Sequence, residues 1–551
     1  MSLPSIRSLS FAAVNLIVAT AIPFVSPTRA AQYDLVIDRT VVNATGKPIE
    51  KLTVNGRLPA PTLRFKEGEE VTVRVTNRLN EDTSVHWHGF LIPGDQDGVP
   101  GFNGFPGIKP GETFTYRFPI RQSGTYWYHS HSAGQEQDGL YGAVIIEPAA
   151  GDIVKPERDY VIVLSDFHEQ SAADIHRTLK VAEGSYNYGK RTLGDFFDDA
   201  SRMGFGAALR DRLDWGEMRM DPTDLVDVAG YTFLVNGNSP ALNWTGLFKP
   251  GEKVRLRFVN ASAMSYYDVR IPGLRMIVIQ ADGQNVQPVP VDEFRIAVAE
   301  TYDVIVVPRE DKAYTIFAEP IDRSGYARAT LAPRAGMQGA IPERKPRAIL
   351  TMVDMGMAHE GMDHGAMPEM SGMDHTAMGH GAMAEPTKDR TRPQGWADAA
   401  TPPDKKALAY ADLKSLAPQK DTRPPQREIV VRLGGQMNRF IWTINGQKFE
   451  DSEPIALAFG ERVKLTFVNE TMMAHPMHLH GMFVQLVNGQ AAERLPNKHV
   501  VNVAPGATYS ALLTADEPGE WAFHCHLLFH MASGMMAKVV VARLQTAEAA
   551  R

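Results

Sequence analysis

From residue 31 onward the chain is written in short runs of alternating apolar and polar residues, such as Val71-Thr72-Val73-Arg74-Val75. A period of two gathers the apolar residues on one face of a strand. Gly and Pro close most runs before a helical pattern develops. Amphipathic helices are correspondingly few, and the pattern predicts β-sandwiches. One unit recurs. Val54-Asn55-Gly56 is followed by Gly68-Glu69-Glu70 and a strand from Val71 to Asn77. Val235-Asn236-Gly237 is followed by Gly251-Glu252-Lys253 and a strand from Val254 to Asn260. Ile444-Asn445-Gly446 is followed by Gly460-Glu461-Arg462 and a strand from Val463 to Asn469. Each copy reads as a turn, then an alternating strand that ends on Asn. Three related β-units are therefore predicted, at 31–152, 153–335 and 426–551, with 336–425 as an insert and linker without β-pattern.

Residues 1–30 follow another pattern. Arg7 supplies a positive charge, an apolar stretch runs from Phe11 to Val25, and Thr28-Arg29-Ala30 offers small residues around a cleavage point. That is the layout of an export signal. Asn15 and Pro23 interrupt the stretch, and no later run reaches the ~18 apolar residues of a membrane span. The expectation is an exported, periplasmic protein without stable membrane insertion. Ile6-Arg7 stands where a twin-arginine pair would, which leaves the general and twin-arginine routes both open.

Composition narrows the chemistry. With 551 residues, 44% hydrophobic, 22% charged and a net charge of -7, the chain can build packed cores and has no global basic surface for nucleic acid. A single Cys excludes an intrachain disulfide, a four-cysteine iron–sulfur cluster and a Cys-rich zinc module. Against it stand 17 His and 24 Met.

Ten of the histidines cluster in the outer units. Nine residues after Asn77 comes His86-Trp87-His88-Gly89, and nine after Asn469 comes His478-Leu479-His480-Gly481. Later come His129-Ser130-His131 and His524-Cys525-His526. The middle unit has no His at either equivalent place. On a strand, His-x-His aims two imidazoles to one side. Two such units facing each other would bring eight imidazoles together, a donor set suited to Cu, Zn, Fe or Ni rather than Mg or Ca. Cys525 points to the opposite face from its flanking histidines. With His475, His530 and Met535 it completes the one-Cys, two-His, one-Met set of a blue-copper site. Ser130 occupies the Cys position in the first unit, so only the third unit can build that centre.

These motifs resemble the copper signatures of the three-domain multicopper oxidases, and the resemblance covers nearly the whole chain after residue 30. It implies an all-β fold of three consecutive cupredoxin-like Greek-key β-sandwich domains. It also implies four copper ions per chain on ligands present in this sequence. His475, Cys525, His530 and Met535 would hold type 1 copper. His86 and His478 would hold type 2. His88, His129 and His526 would hold one type 3 ion, and His131, His480 and His524 the other. The implied reaction takes electrons singly from a reductant, passes them across Cys525 and reduces O2 to water. An acid should stand near the cluster to supply protons. Asp97 sits where relatives place one, although Gly94-Asp95-Gln96-Asp97-Gly98 also reads as a turn. Where some relatives carry an acid after the last type 1 His, this chain has Met531, leaving Glu520 as the substitute.

The insert adds a second copper chemistry. Met352, Met355, Met357, Met362, Met367, Met370, Met373, Met378 and Met383 are interleaved with His359, His364, His375 and His380 in Met-Asp-His and Met-Gly-His repeats. Thioethers select Cu(I), so the segment reads as an arm binding additional labile copper. Such an insert resembles the copper-resistance branch of the family. Met472 and Met473 are candidates either for a Cu(I) docking point or for packing beside type 1 copper. His168, His176 and His499 match no ligand position and are expected to be surface or hydrogen-bonded histidines. The aromatic stretch from Tyr186 to Phe197, with Trp215, is read as capping a surface or lining a groove. Three functions follow: Cu(I) oxidation in copper resistance, laccase-like oxidation of small phenols, and copper sequestration. O2, a Cu(I) or phenolic reductant, and a periplasmic copper chaperone are the partners that fit.

Overall fold

Each repeated turn folds for a local reason. Asn55, Asn236 and Asn445 adopt left-handed backbone angles (φ 53°, 50° and 54°), as do the glycines that follow them. Asn tolerates that region, and Gly enters it without a Cβ clash. The Asn side chain then pins the turn to the unit's first strand, with Oδ1 accepting from Val36, Val163 and Arg432 backbone N–H at 2.7, 2.8 and 2.8 Å. In this computed structural model, which describes residues 31–217, 221–347, 349–350 and 401–543, that first strand pairs in parallel with the repeat strand. The pairs are Ala31–Val42 with Glu70–Asn77, Arg158–Phe167 with Val254–Asn260, and Arg427–Gln436 with Arg462–Asn469.

The Asn that ends each repeat strand has an equally specific task. Asn77, Asn260 and Asn469 are buried. Their Oδ1 atoms accept from the backbone two residues on, at Leu79, Ser262 and Thr471. Their Nδ2 groups donate to Glu81 and Ile108, to Ser265 and Ile296, and to Met473, Val503 and Ala504 carbonyls. One side chain thus shapes the loop that delivers the chain to the opposite sheet.

Every unit is two facing sheets, four strands on four in the first, six on five in the second and third. The apolar faces of each pair enclose the cores. In the first unit the loop leads to His86–His88, antiparallel to Gly124–His129. In the third it leads to His475–Leu479, antiparallel to Gly519–Cys525. The second unit builds the same corner from Tyr267–Arg270 against Tyr314–Pro320, but Val269 and Ile271 replace the two histidines and lie in the core.

The scarcity of helices expected from the alternation has an exception in the second unit. Helices span Ala172–Val181, Leu193–Met203 and Phe205–Glu217. Ser171 caps the first by accepting from Asp174 N–H, and Ile175 and Leu179 join the core shared with the third unit. Its Lys180 donates to Phe440 O at 2.8 Å. The aromatic stretch divides: Tyr186 and Trp215 are buried, whereas Phe197 is 65% exposed. The signal segment 1–30 and the whole Met-rich arm, 352–383, lie outside the described residues. Among the described residues no helix is long and apolar enough to cross a membrane.

Asn469→Ala removes the donor to three buried carbonyls and the acceptor for Thr471. Buried polar groups left unpaired cost about 1–3 kcal/mol each. Chemical denaturation should show a loss of about 3 kcal/mol or more; a loss below about 1 kcal/mol would mean that the loop does not depend on this side chain.

Candidate metal centres

The third unit's Cys525 lies at the end of its strand with its side chain turned into the core. Its Sγ is 3.5 Å from His475 Nδ1 and 3.8 Å from His530 Nδ1, and the two imidazole nitrogens are 3.1 Å apart. Met535 is fully buried, and its carbonyl accepts the Cys525 N–H at 3.1 Å. The remaining ring nitrogens face away from the thiol: His475 Nε2 meets Thr471 Oγ1 at 2.7 Å, and His530 Nε2 donates to Asp227 Oδ2 at 2.7 Å. Trp442 stacks on His530 with centroids 3.8 Å apart. Burial pushes the Cys525 thiol well up and both imidazoles well down. The pocket therefore keeps neutral histidines, and its thiol gives up its proton only to a bound cation.

On the other side of Cys525, the four His-x-His pairs converge between the first and third units. The rings stack crosswise: His86 on His480 at 3.9 Å and His88 on His478 at 3.8 Å. His131 Nε2 lies 3.3 Å from His524 Nε2, and the His129 and His526 rings are 5.1 Å apart. All but the half-buried His131 are at most 2% exposed. Burial, then mutual repulsion, drives the pKa values of His88, His131, His478 and His480 well below the usual range. His129 and His526 are lowered the same way, and His524 falls to about 4. These imidazoles are neutral at neutral pH and present lone pairs.

Their orientation is fixed from behind. His86 Nδ1 donates to Asp97 O, His478 Nδ1 to His499 O and His524 Nδ1 to Cys525 O, at 2.9, 2.7 and 3.0 Å. His480 Nδ1 donates to the Asp97 carboxylate at 2.9 Å. His129 Nδ1 lies 2.9 Å from Glu136 Oε2 and 3.0 Å from Ser130 O. The nitrogens left over, Nε2 of His86, His129, His478 and His526 and Nδ1 of His88, are buried without a hydrogen-bond partner. Orphaned lone pairs converging in a buried pocket are what a cluster of soft or borderline metal ions requires. The donor set fits copper at both centres.

The turn and acid readings of Asp97 are compatible. It ends the short 3-10 turn Gly94–Gln96 and is 1% exposed, against two cluster histidines. Glu520 does not take the place of the acid missing at Met531. It pairs with Lys538 at 2.9 Å near the surface and is not at the cluster. Met472 and Met473 are 3% and 4% exposed within the core around Cys525, which favours packing over docking. His168 and His176 are hydrogen-bonded away from the cluster, His176 to Ser533 at 2.9 Å. His499, by contrast, lies against His88 and His478.

Three further residues stand against the candidate ligands without a sequence motif of their own. Asp227 comes from a loop 303 positions before His530. Glu136 sits in Gln135-Glu136-Gln137, a polar run that is buried throughout. His499 carries no His-x-His spacing. The available signals are an acidic spacing, Asp221, Asp224 and Asp227, and a polar run that begins four residues after His131, neither specific by itself.

Profiles described as multicopper oxidase match residues 36–151, 158–336 and 422–545. The chain belongs to the multicopper oxidase family. The oxidase is 45% identical over 585 residues to copper resistance protein A of Escherichia coli, covering 97% of this chain and 96% of the relative. It is 47% identical over 547 residues to a copper resistance protein A homolog of Pseudomonas syringae, covering 93% and 92%. Among solved structures, Fet3p, described as a multicopper oxidase that functions in iron import, superposes with a TM-score of 0.66 at 20% identity, covering 93% of this chain and 90% of that one. A Botrytis aclada laccase gives 0.65 at 22% identity, covering 93% and 87%. These likenesses are of fold, three cupredoxin-like β-sandwich domains. The oxidase is thus an oxidoreductase with copper cofactors.

Asp97→Ala leaves the His480 Nδ1–H unpaired and its ring free to turn. Loss of such an outer partner typically weakens metal affinity about 10–100-fold. Copper retention by the loaded protein against a chelator should fall by that factor; unchanged retention would show that Asp97 does not orient a copper ligand.

Proposed function

We propose that the oxidase takes electrons from Cu(I) at the Cys525 centre and delivers them to O2 at the histidine cluster, four Cu(I), one O2 and four protons giving four Cu(II) and two waters. The observation that carries this reading is the placement of Cys525 between His524 and His526, with the thiol on one face of the strand end and both imidazoles on the other. On this reading His475, Cys525, His530 and Met535 hold type 1 copper, and His86 and His478 hold type 2. His88, His129 and His526 hold one type 3 ion; His131, His480 and His524 hold the other. Bound copper supplies the one-electron redox chemistry and the site of O2 reduction.

The protein's part is orientation, connection and proton supply. Asp227 accepts the Nε2–H of His530 and keeps Nδ1 turned toward Cys525. Burial raises Asp227 to about 7. The peptide bonds from Cys525 to its neighbours give electrons a short through-bond route. Asp97 and Glu136 stand behind opposite sides of the cluster. Burial, reinforced by Asp166, pushes Glu136 well above the usual carboxylate range, so it holds a proton more firmly than a surface acid and can release it where charge builds up.

Two features favour Cu(I) as the reductant. Leu350, immediately before the Met-rich arm, donates to Pro222 O at 2.8 Å, five residues ahead of Asp227 in the chain. Leu350, the last described residue before the arm, is thereby held to the loop that touches His530. The chain also resembles relatives named for copper resistance along almost its entire length. Labile copper on the arm, export by residues 1–30 to the periplasm, and supply of Cu(I) by a chaperone there complete the reading. A laccase-like role with small phenols has its own support: the same loop lines a cleft of about 350 Å³ with Tyr186, Tyr188 and Val226.

O2 uptake by the purified copper-loaded protein, with Cu(I) and with a small phenol side by side, separates the two. Deleting 352–383 is expected to lower Cu(I) turnover and copper tolerance while sparing phenol turnover. Equal loss of both, or of neither, would remove the dedicated Cu(I) arm. Cys525→Ser is expected to abolish the blue absorption and all turnover; full copper tolerance in that variant would make sequestration the better account.

A further inference from the structure

Asp97 and His499 perform matching tasks on opposite sides of the cluster. Asp97 holds one histidine of its own unit through its carbonyl, His86 at 2.9 Å, and one of the opposite unit through its side chain, His480 at 2.9 Å. His499 holds one histidine of its own unit through its carbonyl, His478 at 2.7 Å, and its ring Nδ1 lies 3.2 Å from Nε2 of His88 in the opposite unit. The two pairs are related as the stacked rings are, His86 on His480 and His88 on His478.

We propose that His499 is a positioning residue of the copper cluster, whose ring accepts the His88 Nε2–H and so turns His88 Nδ1 toward the metal. The inference rests on the copper-ligand reading above. It follows from which nitrogens are engaged. His86, His129, His478, His480 and His524 each use Nδ1 for a carbonyl or carboxylate. His88 does the reverse: its Nδ1 is buried without a partner while Nε2 faces His499. A ligating nitrogen needs its lone pair, so the proton of neutral His88 belongs on Nε2 and His499 Nδ1 accepts it.

His499 is itself held by the middle unit. Asp282 Oδ2 accepts the backbone N–H of His499 and of Val500 at 3.1 and 3.0 Å. Its other oxygen meets Lys498 Nζ at 2.9 Å, and Lys498 pairs with Glu300 at the same distance. The ring fits over Gly89, where a Cβ would come within 2.4 Å of His499 Cδ2. The unit without copper ligands thus fixes a ligand's orientation through a buried ion-paired clamp.

The test compares His499→Phe, which keeps ring volume without an acceptor, with His499→Asn, whose Oδ1 replaces Nδ1. Wild type is loaded with copper first and scored for copper per chain, blue absorption and an EPR-silent coupled pair. Absence of that pair in wild type would overturn the copper-ligand reading, and this inference with it. Given the pair, His499→Phe is expected to keep the blue absorption, lose cluster copper to a chelator about 10–100-fold more readily and reveal new EPR-visible copper. His499→Asn is expected to stay within about 3-fold of wild type, well inside that range. Cluster copper held by the Phe variant as firmly as by wild type, or lost equally by Phe and Asn, would overturn the proposal. If the Phe variant does not take up blue copper, His499→Ala replaces it under the same criteria.

Discussion

Imidazoles cannot be crowded into a protein interior while protonated. Each charge would pay desolvation, and each neighbour would add repulsion at distances where the low dielectric screens little. The eight cluster histidines, nearly all buried at one interface, are subject to that constraint. Much of the surrounding structure serves to hold neutral rings at fixed angles: carbonyls behind Nδ1, a carboxylate shared across units, and stacked rings from opposite domains. The same logic governs the Cys525 pocket, where Thr471 and Asp227 occupy the outer nitrogens of His475 and His530.

The repeat explains how a chain of this length arrives at such an arrangement. A turn Asn with positive φ, a parallel pair of strands and a terminal Asn that ties down the next loop form a device used three times. In the outer units the device ends at His-x-His. In the middle unit it ends at Val269 and Ile271, and that unit contributes carboxylates instead: Asp227 to the thiol centre and Asp282 behind His499. On the proposed ligand assignment, the division of labour is between two units that bear the ligands and one that sets their angles.

The β-architecture, the three copies and the His-x-His pairs were readable because each depends on residues close in sequence. The strand period, turn chemistry and ligand spacing are local patterns. Asp227, Glu136 and His499 were not readable, because their roles arise from contacts between elements distant in the chain. Asp227 reaches His530 across 303 positions, and His499 reaches His88 across 411. Asp97 was half legible, since its spacing after His88 is a motif while its contact with His480 is tertiary. The helix Leu193–Met203 buries none of its side chains, whereas Ala172–Val181 buries Ile175 and Leu179 and Phe205–Glu217 buries Trp215.

A single cysteine denies this chain any covalent staple between its domains. The crosswise ligand set offers a replacement. His86 and His88 come from the beginning of the chain and His478 and His480 from near its end, so a metal ion shared between them closes a loop of several hundred residues. Closing so long a loop restricts the unfolded chain more than a short one does, and the restriction is made and released by metal binding rather than by redox exchange of thiols. On the proposed ligand assignment, copper is also a reversible cross-link between the first and third domains, made and released with the metal.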